Sequence, residues 1–413
     1  MTGPVSPEKT VATFMRRLRP FDLSDLPLDV VILLIGGLTL ALAGVLLFPV
    51  STGALPYYEE GLYGLLLFIF ALQTVTLGKT PFGDARRTAP VVGAGLLLAS
   101  AGIVTCFVPG LLGPLPRVLL FCCFSVGGAL LLAQMVLSES RLRAWMAYGG
   151  IFRRLAAACG AVYTLSILTG LLVRTPSLLT TRTTALVAIA FGASVFFLAS
   201  ILASIARKYP QVAGDDAPGG VPLPPDRALL LLTAVFMVLL GVLLIPVNFG
   251  ILPFSGSAQL GLLVVIFSVQ MLASGSTPVG AYPRTRLMVA LGLILAGPGI
   301  VSCIVPEVLA PFLTVLVGVL NVAGGALALG KIVLPALTGP KRPGGSLPPI
   351  LSRLRTTQIA MNLLSIAFGA SMLLPGIVPG PVVGPVLAAN GGALLYLLHI
   401  LGDIDRMTED ATA

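Results

Sequence analysis

An all-α polytopic membrane protein of about twelve spans is the fold class that this sequence predicts, and three observations predict it. Hydrophobic residues make up 56% of the 413 residues and charged residues only 10%, well under the roughly 25% charge of an ordinary soluble domain. The apolar residues form continuous runs and do not alternate, so they suit helices and not barrel strands. The basic residues gather in every second connection, as topology demands. A water-soluble enzyme, a disordered chain, a collagen-like repeat and a disulfide scaffold are excluded by the same composition.

Crossing the hydrocarbon core takes about 20 mostly apolar residues. Runs of that kind fall at 29–50, 61–78, 90–110, 117–137, 155–174, 184–206, 228–249, 258–275, 287–306, 312–334, 357–377 and 381–402. The first is a full-length span behind a mixed segment, so it does not read as a cleavable signal peptide. Lys9, Arg16, Arg17 and Arg19 precede it, and Lys79, Arg86, Arg87, then Arg141 to Arg154, then Arg207 to Arg227 mark alternate loops after it. The other set of loops holds only Arg117, Arg174 and Arg182, leaving 22 of the 25 basic residues on one side. The positive-inside rule then puts both termini in the cytoplasm, with the protein in an inner (plasma) membrane. Topology accounts for the net charge of +9, so no nucleic-acid partner is called for. The lipid bilayer is the partner that composition fixes; a second copy or another membrane protein is left open.

The organisation read from these runs is a cytoplasmic segment 1–28, a six-helix membrane repeat 29–206, a Pro/Gly-rich linker 207–227, a second six-helix repeat 228–402 and a tail 403–413. Two segments are amphipathic and read as helices lying on the membrane surface: Val11, Phe14, Met15 and Leu18 opposite Lys9, Arg16 and Arg17, and Leu142, Trp145 and Met146 beside Arg141 and Arg143.

Shifting the chain by 197 residues aligns 29–137 with 226–334 without a gap, and 47 of the 109 positions are identical. Thr80-Pro81-Phe82-Gly83 meets Thr277-Pro278-Val279-Gly280, and Gly127-Gly128-Ala129-Leu130 meets Gly324-Gly325-Ala326-Leu327. Spans 5–6 and 11–12 complete the two units but match poorly. Six spans is an even number, so both halves enter from the same side and the repeats are expected to be parallel. Inside each half the unit is a helical hairpin with small residues, which let membrane helices approach closely.

That hairpin, as in Gly44-Val45-Leu46-Leu47-Phe48-Pro49 followed by Gly64-Leu65-Leu66-Leu67-Phe68-Ile69, resembles the short repeat of the HdeD family, small six-span bacterial membrane proteins with no assigned biochemical activity. The resemblance implies a tandem duplication of such a unit and a tie to stress, and it supplies no catalytic residue. The segment Gly78-Lys79-Thr80-Pro81-Phe82-Gly83-Asp84-Ala85-Arg86-Arg87 is also similar to the loop between spans 2 and 3 of major facilitator transporters, whose six-plus-six arrangement fits too. The second copy lacks the Asp of that pattern.

Candidate chemistry is sparse. Buried charge in a membrane usually marks a pathway, yet no Asp or Glu falls mid-span, so neither a cofactor, a metal site nor an enzymatic activity is expected. The five cysteines have no Cys-x-x-Cys spacing, and a Cys106–Cys303 disulfide requires spans 3 and 9 to touch. Polar residues recur late in the second helix of five hairpins: Gln73, Gln134, Gln270, Lys331 and His399. These read as interface snorkelling, interhelical hydrogen bonds or a polar vestibule. Asn321, Asn362 and Asn390 lie deeper and are the first candidates for substrate contact. The expected function is a non-enzymatic structural, accessory or stress-related role of HdeD-like type. The alternative is a small-solute transporter or channel with its path between the halves. A polar cavity between the halves favours the second, and a continuous small-residue seam the first.

Overall fold

The computed structural model describes residues 26–137, 150–208, 223–277, 280–338, 349–374 and 379–412. Among the described residues, twelve helices are long and apolar enough to cross a membrane. They are α1 (Leu28–Ser51), α2 (Glu59–Leu77), α3 (Ala89–Phe107), α4 (Leu115–Leu137), α5 (Gly150–Arg174) and α6 (Thr181–Lys208). The second half repeats the series with α7 (Pro225–Asn248), α8 (Gly256–Ser274), α9 (Arg286–Ile304), α10 (Ala310–Thr338), α11 (Pro349–Leu373) and α12 (Gly380–Thr412). The two surface-helix segments near Phe14 and Trp145 and most of the Pro/Gly-rich linker 207–227 fall outside the described residues.

Two helix ends differ from the sequence reading. The α11 helix begins at Pro349 and α12 runs on through Thr412, so most of the predicted tail is helical. Hydropathy registers only the apolar part of a helix, and these ends carry Arg353 and Arg355 in α11 and Asp403, Asp405 and Arg406 in α12. The end of α12 is held to the start of α7 by the Arg227–Asp405 ion pair.

The connection read as a basic turn is a small antiparallel hairpin. Strand β1 (Lys79–Thr80) pairs with β2 (Gly83–Asp84) in the register Lys79 to Asp84 and Thr80 to Gly83. Strand β3 (Ser276–Thr277) pairs with β4 (Gly280–Ala281) in the same register. In both, the threonine hydroxyl donates to the glycine carbonyl at 2.7 Å. The preceding helix ends on a left-handed glycine, Gly78 at φ 68° and Gly275 at φ 71°, where a side chain would be strained.

Corresponding helices pack together in each half: α1 on α6 as α7 on α12, α2 on α3 as α8 on α9, α4 on α5 as α10 on α11, and α5 on α6 as α11 on α12. Lipid offers no hydrophobic drive for this association, so close backbone approach supplies the contact. Glycines provide it. A side-chain carbon on Gly64 would run into the Gly102 carbonyl, and one on Gly261 into the Gly299 carbonyl, 197 residues on. A side-chain carbon on Gly44 would come within 2.7 Å of the Ala185 carbonyl of α6, and one on its counterpart Gly241 would run into Gly384 and Ala388 of α12.

The halves meet along a seam made of α1–α3 and α7–α9. Its contacts come in exchanged pairs: α3 on α7 and α9 on α1, α2 on α9 and α8 on α3, α2 on α7 and α8 on α1. The hydrogen bonds do the same. Tyr58 N–H donates to the Ile304 carbonyl and Ser255 N–H to the Phe107 carbonyl, each at 2.9 Å. At the other end, Arg87 donates to the Leu223 carbonyl and Arg284 to the Leu26 carbonyl, each at 2.7 Å. Every one of these atoms has its counterpart 197 residues away. Phe107, Phe236 and Phe254 pack across the seam, with Phe107 and Phe236 rings edge to face at 5.6 Å.

Candidate functional site

The largest cavity described lies inside the first half and not at the seam. It has a volume of about 440 Å³ and is walled by α1, α2, α4, α5 and α6, with the β1–β2 hairpin at its mouth. That size is within the range of small-molecule sites. Most of the wall is apolar, from Leu33 and Leu40 on α1 to Phe191 and Leu198 on α6. Gln73, Tyr163, Ser166 and Thr80 add hydrogen-bonding groups, and Asp29, Lys79 and Asp84 sit at the rim. Lys79 Nζ is 3.3 Å from the Asp29 carboxylate, so two of the three rim charges offset each other.

Three local features open this space. The first is Gly36 on α1, where an added side-chain carbon would find its nearest atom, on Ile69, 3.7 Å away. The second is a π-helical turn at Cys122–Val126 in α4. Such turns insert a residue into a helix and occur often at functional sites. Here Ser166 donates to the Phe124 carbonyl and Ser125 donates to the Ile167 carbonyl, each at 2.8 Å, fixing α4 on α5. Cys123 and Phe124 then face the cavity, and Phe124 stacks edge to face on Phe70 at 4.8 Å and on Phe191 at 5.9 Å. The third is the hairpin itself, which places Lys79, Thr80 and Asp84 around the opening.

The corresponding positions in the second half are filled or lack charge. Thr233 stands where the first half has Gly36, and it accepts a hydrogen bond from Gln270 Nε2 at 2.8 Å. The hairpin has Ser276 and Ala281 in place of Lys79 and Asp84. Helix α10 has no π turn; the position of Phe124 is taken by Asn321, whose side-chain oxygen accepts from Ser365 of α11 at 3.0 Å.

Of the residues singled out from sequence, only Gln73 lines this cavity. Gln270 is tied to Thr233, and Asn321 to Ser365 and to the Val317 carbonyl, so both are interhelical or intrahelical fasteners. Gln134 is exposed over the first hairpin and donates to the Phe82 carbonyl at 3.3 Å. Its counterpart Lys331 is likewise exposed, its Nζ 3.9 Å from where a side chain on Gly280 would start. His399 is exposed on α12, with Nε2 3.6 Å from Asp403, and it lines a cavity of about 390 Å³ between α11 and α12 in the second half. Asn362 and Asn390 are half-buried, and neither lines a cavity described here. Asp29, Gly36, Asp84, Tyr163 and Ser166 were missed. For Gly36 and Asp84 a signal was present in the repeat alignment, where Thr233 and Ala281 stand opposite them, whereas Asp29 is matched by Asp226 and Tyr163 and Ser166 lie outside the aligned stretch.

Cys106 and Cys303 are free thiols at the seam, fully buried, both directed at the Ala258 carbonyl at 3.8 and 3.6 Å. A side-chain carbon on Gly61 would strike the Cys303 carbonyl, which shows how little space the seam leaves. Nearby, burial raises the Tyr58 phenol well above its ordinary value, so its hydroxyl stays a donor to the Thr105 and Cys106 carbonyls. Neither a family model, nor a curated protein, nor a solved structure matches this chain.

Proposed function

We propose that this chain is a non-enzymatic inner-membrane protein built from two parallel six-helix repeats, of which the first binds a small solute and the second serves as its scaffold. The observation that carries the reading is the contrast between the cavity beside Gly36 and the Thr233–Gln270 hydrogen bond at the matching place. A protein that was scaffold throughout would have no reason to keep this place open in one half and closed in the other.

The exchanged pairs along the seam support parallel repeats, because the Tyr58 end of one half meets the equivalent end of the other at Ile304, and Ser255 meets Phe107, as an axis along the membrane normal requires. Origin by duplication of an HdeD-like unit fits the internal identity. The seam is occupied by phenylalanine rings and glycine contacts, which favours placing the solute inside the first repeat and not on the axis between halves. The mouth lies on the face with Lys79, Arg86 and Arg87, the cytoplasmic one by the positive-inside rule.

Alkylation by N-ethylmaleimide of the intact protein in lipid nanodiscs, followed residue by residue with peptide mass mapping, tests this. Cys159 lines the cavity whereas Cys106 and Cys303 are sealed in the seam, so Cys159 should react about tenfold faster than either. Gly36→Thr, which restores the plug of the second half, should remove most of that advantage. Equal, negligible reactivity at all three thiols would contradict a solute-accessible first repeat.

A further inference from the structure

A second cavity, of about 180 Å³, lies between α1, α2, α5 and α6 toward the opposite face from the hairpin. It is in line with the first. Along α1 the wall runs Asp29, Gly36 and Leu40 in the larger cavity, then Leu40 and Leu47 in the smaller. Along α2, which runs the other way, it goes from Glu59 and Leu66 to Leu66 and Gln73. The steps are three and four residues or sums of them, so one continuous face of each helix lines both spaces. On α5 the larger cavity ends at Ser166 and the smaller begins at Thr169; on α6 the change falls between Phe191 and Ala188. Leu40 and Leu66 are the two residues that wall both, and both are buried.

We infer that the first repeat contains a transmembrane path for a small uncharged polar solute, interrupted by an apolar gate at Leu40 and Leu66. This rests on the solute-binding reading of the first repeat and extends it across the membrane. The chemistry of the walls sets the solute class. Ionised side chains occur only at the two ends, Asp29, Lys79 and Asp84 at one and Glu59 at the other. Glu59 is itself bound by Arg117 at 2.6 Å and by the Tyr63 hydroxyl. Nothing between the ends would compensate a charge moving through low dielectric, which is costly. Hydroxyl and amide groups do occur along the way, at Gln73, Ser166, Thr169 and Thr184, and they suit a polyol or an amide. A hydrophobic constriction between two wider spaces gates by excluding water until its side chains separate.

The test is stopped-flow light scattering on proteoliposomes holding the full chain, with erythritol as the solute and sodium flux measured in parallel. Leu40→Ala/Leu66→Ala should admit erythritol roughly fivefold faster than wild type, and Leu40→Trp should bring entry down to that of empty vesicles, with sodium entry unchanged in both. Erythritol entry in the double alanine variant equal to wild type would overturn the path. Sodium rising in step with erythritol would overturn the uncharged class. The Cys159 alkylation rate of each variant separates the failures: retained reactivity without flux removes the gate and leaves the binding site, whereas lost reactivity removes the solute-binding reading itself.

Discussion

The two halves share their backbone plan and differ in what fills it. At the seam they are interchangeable: Tyr58 does for one half what Ser255 does for the other, and Arg87 what Arg284 does. Inside the bundles they are not. A glycine in α1 and a π turn in α4 leave a cavity in the first half, while Thr233, Gln270, Asn321 and Ser365 close the matching place in the second. The lesson is that a chain whose halves correspond can carry its own control. Positions held alike in both copies report on packing, and positions that diverge point to where one copy has a separate task.

The comparison can be broken first where the halves are alike. Gly64→Leu and Gly261→Leu each force a side chain into a backbone carbonyl, so both should cost at least the 1–3 kcal/mol or so typical of overpacking and lower the melting temperature equally. A large effect in one half and a small one in the other would mean that the shared contacts are not equivalent. Next come the reciprocal swaps. Thr233→Gly removes the acceptor of Gln270 and adds a flexible residue mid-helix, for a loss of about 1.5–2.5 kcal/mol in thermal unfolding. Gly36→Thr fills open space and should be neutral or stabilising by up to about 0.5 kcal/mol. The asymmetry of sign is the point. A further comparison concerns the turn between α3 and α4 and its copy between α9 and α10, where Glu307 has φ 69° and its counterpart Gly110 φ 77°. Both N–H groups find equivalent acceptors, Glu60 for Gly110 and Ser257 for Glu307. Glu307→Gly relieves a left-handed strain and should stabilise by about 0.5–1 kcal/mol, whereas Gly110→Glu should destabilise by a similar amount.

Much of the fold was legible in the sequence, because membrane spans are set by apolar length. All twelve runs coincide with helices, and errors arise only where helices continue past the apolar stretch, as α12 does beyond residue 402. The hairpins escaped notice because two-residue strands have no periodicity to detect. The site was less legible for a physical reason. Searching for polar residues at depth finds groups that can satisfy each other, and Asn321 and Gln270 do that with Ser365 and Thr233. A cavity is instead marked by what is missing, such as the side chain at Gly36, and by a π turn that no local pattern announces.

The most direct test of the account compares one position in both copies. Gly36→Cys and Thr233→Cys place a thiol at matched sites of α1 and α7, and N-ethylmaleimide labelling of each in nanodiscs, mapped by mass, reads their access. The account predicts labelling about tenfold faster at position 36 than at position 233. Equal rates, or faster labelling at 233, would contradict a first half open at Gly36 beside a second half closed at Thr233.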